Sequence, residues 1–86
     1  MAEEKIGAVT HYFNHIQVAG IDITEGELHV GDTIHIKGHT SDFTQNVDSI
    51  QIEHETVTVA KPGDSIGIKV IDHAREHDEV FKVTEE

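Results

Sequence analysis

The chain has 86 residues, no cysteine, six Lys and Arg against seventeen Asp and Glu, and eight histidines, for a formal net charge of −11 with histidine neutral. That length holds a single domain spanning 1–86, ordered over about 6–84, and the absence of cysteine excludes disulfides and thiolate metal sites. The acidic excess opposes general nucleic-acid binding, which rests on Lys and Arg releasing phosphate counterions.

In chain order, Met1 to Lys5 reads as a polar tail, too acidic for a signal peptide. Strands are predicted at 6–13, 16–24, 27–30, 33–38, 45–54, 56–60, 65–70 and 79–84. The period of two is clearest in Thr33-Ile34-His35-Ile36-Lys37, Ser49-Ile50-Gln51-Ile52-Glu53 and Ser65-Ile66-Gly67-Ile68-Lys69-Val70. Turn residues separate these runs at Gly26, Val30-Gly31-Asp32 and Lys61-Pro62-Gly63-Asp64. Gly67 falls inside a strand, which points to a bulge or a close backbone approach. No window sustains a helical period, and no apolar run is long enough to span a membrane. The expected fold is all-β: a small closed antiparallel β-barrel, because closure removes unpaired edges in a domain too small to bury much surface. The expected core includes Ile6, Val9, Ile23, Leu28, Ile34, Ile36, Val47, Ile50, Ile52, Val57, Ile66, Ile68, Val70 and Val80. Missing cysteine and missing leader together suggest a cytoplasmic protein.

The order of the segments carries a resemblance. Gly7-Ala8-Val9 is followed by Val18-Ala19-Gly20-Ile21 and Thr24-Glu25-Gly26-Glu27-Leu28. Val30-Gly31-Asp32-Thr33-Ile34, Val47-Asp48-Ser49-Ile50-Gln51-Ile52 and Ala60-Lys61-Pro62-Gly63-Asp64-Ser65-Ile66-Gly67-Ile68 come next, then His77-Asp78-Glu79-Val80. This set resembles domain 2 of elongation factor Tu, and also the C-terminal barrel of bacterial initiation factor 2, over about residues 6 to 83. The resemblance implies a translation-protein barrel, here a stand-alone module without a GTPase.

The same resemblance implies a pocket for the aminoacylated 3′ end of tRNA, lined here by Ile52, Glu53, His54, Asp64 and Ser65. Glu53 would repel a phosphate, whereas His54 could stack on a base or donate a hydrogen bond. Gly63-Asp64-Ser65-Ile66-Gly67-Ile68-Lys69 fails the phosphate-loop spacing, so no nucleotide is expected. The polar loop Gly38 to Gln45 is a second candidate, through His39, Asp42 and Phe43.

One segment matches a catalytic pattern. His73-Ala74-Arg75-Glu76-His77 fits H-x-x-E-H, which on a helix would place two zinc ligands beside a general base. Nothing near it sustains a helix. A metal-dependent hydrolase through His73, Glu76 and His77 is therefore the remote alternative, and no catalytic residue, metal or cofactor is expected. Two binding readings remain. One is a translation-linked module contacting a tRNA end or the ribosome. The other is an adaptor docking on a partner enzyme, its acidic face meeting a basic protein patch.

Overall fold

The computed structural model describes residues 2–53 and 55–84. Ten strands follow in order: β1 Ala2–Phe13, β2 Val18–Ile23, β3 Leu28–His29, β4 Thr33–Lys37, β5 Asp42–Asn46, β6 Ile50–Ile52, β7 Glu55–Val57, β8 Val59–Ala60, β9 Ser65–Lys69 and β10 Glu79–Thr84. All pairings are antiparallel. Eight strands form one sheet in the order β5-β4-β10-β1-β2-β9-β6-β7, while β3 and β8 pair separately.

Alternation builds the core. Ile34 and Ile36 of β4, Ile66 and Ile68 of β9, and Ala19, Ile21 and Ile23 of β2 all point inward and are buried. Register places Ala19 opposite Ile68, Ile21 opposite Ile66, and Ile36 opposite Val80, so inward rows run continuously across neighbouring strands. Every expected core residue lies in this cluster except Ile52 and Val57, which pack against it half-buried; Ala19, Ile21, Ala60 and Ala74 join it. Burying a Val, Ile or Leu side chain is worth about 1.5–3 kcal/mol, so this cluster is the main source of stability.

The all-β class is as expected, but the closed barrel is not. Among the described residues the large sheet is open, with β5 and β7 as its free edges. The cause is local. The chain bends at Thr58 directly after the three-residue β7, and β8 leaves to pair with β3. At the other edge the Gln45 side chain, not a strand ladder, reaches across: its Nε2 donates to the Lys69 carbonyl (2.8 Å) and its Oε1 accepts from the Ile71 N–H (2.8 Å).

Two other expectations change. The predicted strand 45–54 is two strands, and the supposed loop 38–45 holds most of β5. Ala2 to Lys5 is not a tail, because these residues pair with Phe81 to Thr84 of β10.

Candidate functional site

The outer face of β1, β2, β9 and β6 carries a trench. Gly20 of β2 lies opposite Gly67 of β9, and Gly67 lies opposite Gln51 of β6. Neither glycine has a side chain to fill the outward position. A Cβ on Gly67 would sit 3.3 Å from Val18 Cγ1, so even a methyl group there would crowd the floor. Neither the bulge nor the close backbone approach expected at Gly67 is found: the register runs through it unbroken, and its near neighbour is the Val18 side chain.

Each wall follows from register. On one side Phe13 pairs with Val18, and Ile16 stands in the β1–β2 turn. Phe13 and Ile16 are 45% and 59% exposed and border the same depression. On the other side Asp22 pairs with Ser65, whose hydroxyl donates to Asp22 Oδ1 at 2.7 Å. Glu53 follows at the end of β6. The depression bounded by Phe13, Ile16, Val18, Glu53 and Ser65 has a volume of about 340 Å3. His11, opposite Gly20, packs against Phe13 with ring centroids 4.5 Å apart and the ring planes tilted by 59°.

Glu53 is held in the left-handed region at φ 50°. Ile52 and Glu55 pair directly, so it occupies a two-residue hairpin turn. Such turns favour Asn or Gly, and a left-handed glutamate costs about 1–2 kcal/mol.

The residues singled out from sequence distribute unevenly. Glu53 and Ser65 border the depression. Ile52 turns inward against the core. Asp64 serves its own turn, its Oδ2 accepting from the Lys61 N–H at 2.9 Å. His54 lies outside the described residues. Phe13, Ile16, Gly20, Gln51 and Gly67 were not singled out as a ligand surface. The available signal was a pair of outward glycines beside apolar residues flanking a turn.

The second candidate segment separates as well. Phe43 packs against the core, and His39 borders a depression with Lys37, His77 and Glu79. Asp42 belongs to an ion cluster. The His35 Nε2 meets Asp42 Oδ1 at 2.5 Å and its Nδ1 meets Glu3 Oε2 at 2.8 Å. Both ring nitrogens can donate to carboxylates only in the imidazolium form. The Asp42 hydrogen bond, then Glu3, holds the His35 pKa above 6.5, against the opposing effect of burial.

His73 lies in irregular backbone and Glu76 and His77 in a turn, so the three do not share a helix. The His73 ring packs tilted against Tyr12 with centroids 4.4 Å apart, and His77 is held at φ 74°. Among the described residues, no three His, Asp or Glu side chains are placed to share a metal ion. No helix among them is long and apolar enough to cross a membrane.

The strand order and turns define a class, and comparison with known proteins assigns it. The sequence profile of elongation factor Tu domain 2 matches residues 17–77, and the chain belongs to that family. An uncharacterized protease of Methanocaldococcus jannaschii is 37% identical over 82 residues, covering 94% of this chain and 20% of the protease. A collagenase of Porphyromonas gingivalis is 37% identical over 78 residues, covering 90% of this chain and 22% of the collagenase. The chain therefore spans about a fifth of the length of these curated relatives. Among solved structures, the C-terminal domain of a Geobacillus thermoleovorans protein described as a U32 peptidase superposes with a TM-score of 0.87. It is 21% identical, with 94% of this chain and 93% of that one covered, a likeness of fold.

Proposed function

We propose that this chain is a protease-associated docking module, holding a protein partner of a U32-type peptidase system and performing no chemistry of its own. The observation that carries this reading is the 37% identity across nearly the whole chain to proteins named as proteases. The same observation favours the adaptor reading over the translation-linked one. Charge points the same way: the chain is at −11, and Glu53, in the pocket that the resemblance implied for an RNA end, would repel a phosphate. The sheet supplies a rigid platform, and its exposed apolar side chains Phe13 and Ile16 are the kind of surface that a protein partner covers.

Affinity capture from the native extract, at low and at moderate salt, tests the proposal. The expected result is salt-sensitive recovery of a U32-family polypeptide. Recovery of tRNA or ribosomal material in its place overturns the reading in favour of the translation-linked one.

A further inference from the structure

The trench has unlike walls, and that difference specifies its occupant. Phe13, Ile16 and Val18 make one wall apolar. Asp22 and Glu53 make the other wall acidic, and both are exposed. Val18 and Asp22 are four residues apart on β2, so the walls stand about 13 Å apart at 3.3 Å per residue. An extended chain with side chains directed to both sides fits that width. The floor crosses β2, β9 and β6 at about 4.8 Å spacing, a run of about 10 Å or three extended residues.

An extended chain laid along the floor sends successive side chains to opposite walls. Alternation of apolar and basic residues then satisfies both walls at once. The two glycines leave the floor open for the occupant's backbone to come close. Lys69, paired with Val18, stands in the same cross-strand row as the apolar wall and fixes the sense. A basic side chain is repelled there and attracted at Asp22 and Glu53.

We infer that the Gly20–Gly67 trench is a docking site for an extended segment of a partner protein in which apolar residues alternate with Lys or Arg. This rests on the docking reading above and names the chemistry of its partner. Glu53 is the specificity-determining residue. Its strained turn places a carboxylate at the rim where Asn or Gly would suit the backbone better.

The test is a backbone NMR titration of the full 86-residue chain with three probes: a ten-residue Leu-Arg alternating peptide, the matching Leu-Glu peptide, and a CCA trinucleotide. The expected result is that only the Leu-Arg peptide shifts the amides of Gly20, Gly67 and Gln51. Glu53→Lys is expected to weaken that peptide by about tenfold and to strengthen the Leu-Glu peptide. Gly67→Ala, which crowds the floor, gives a second variant, accepted once its spectrum is that of a folded chain. Equal response to both peptides, shifts centred elsewhere, or response to the trinucleotide alone overturns the inference. So does no response to any probe. In that event, capture of a U32-family polypeptide undiminished by Glu53→Lys would leave the docking reading standing while the trench falls.

Discussion

His35 is the residue most tightly tied to charge. Its side chain is 15% exposed and links β1, through Glu3, to β5, through Asp42. The other groups facing it are the Phe81 ring at 6.2 Å and, along the same outer rows, Thr44, Lys37 and Lys5. Because its folded pKa is raised above 6.5, folding takes up protons in this range. The stabilisation is complete below about pH 6.5 and is lost as pH rises through the folded value. His35→Gln should therefore cost on the order of 1 kcal/mol at pH 6, and much less at pH 9. Urea unfolding of both proteins at the two pH values measures this. A cost that is equal at both, or larger at pH 9, rules out the imidazolium bridge. Gly38 presents a different constraint at the same scale. A Cβ there would collide with the carboxylate of Asp78, which is buried and accepts from the Arg75 N–H at 2.9 Å. Gly38→Ala should cost about 1–3 kcal/mol by overpacking. A change in urea midpoint too small to detect would mean that the carboxylate moves freely.

At the scale of elements, much of the strand pattern was legible because an inward apolar residue every second position leaves few alternatives. It failed where that period breaks. Val47 and Ile50 are both buried but three residues apart, so they cannot share one face of one strand. The predicted strand 45–54 had to divide there. Glu3 to Lys5 was unreadable for the opposite reason. These residues are exposed although paired, so no apolar alternation marks them as strand. The trench escaped the sequence because its floor is assembled from β2, β9 and β6, and register between distant strands is set by tertiary pairing. Gln45 shows how a side chain substitutes for a ladder at an edge. Gln45→Ala removes a donor and an acceptor from Lys69 and Ile71, where water can partly replace them, and should cost about 1–2 kcal/mol. Gln45→Glu, which keeps the acceptor for Ile71, should fall between. Equal stability of all three would mean that the bridge is idle. The β6–β7 turn should respond in the other direction. Glu53→Gly relieves left-handed strain and should raise stability by about 0.5–1 kcal/mol, read as a higher urea midpoint with an unchanged slope. A loss of stability there would refute the claim that the rim residue is kept at a cost to the fold.

For the whole molecule, the family and the all-β class were legible in the order of segments, whereas sheet closure was not. Closure turns on Thr58, where the chain bends, and on Gln45, whose alternating place in β5 gives no sign in the sequence of its bridge to Lys69 and Ile71. Charge acts at this scale too, and it gives two opposite salt dependences. A net charge of −11 on 86 residues repels itself, and the folded chain holds those charges closer together than the unfolded one. Added salt shortens the Debye length from about 30 Å at 0.01 M to about 10 Å at 0.1 M, which relieves repulsion between charges spread over the surface. The close pairs Lys5–Glu79 at 3.1 Å and Lys82–Asp32 at 3.3 Å are weakened at the same time, but they are few against the acidic excess. The thermal midpoint of the chain should therefore rise between 0.01 M and 0.1 M sodium chloride. Docking of the Leu-Arg peptide should weaken over the same interval, because the attraction to Asp22 and Glu53 is screened without any compensating relief. Calorimetry and peptide titration on one salt series separate the two effects. A midpoint that falls with salt would mean that local ion pairs outweigh the net charge. Peptide binding that does not change would mean that only the apolar wall engages the peptide.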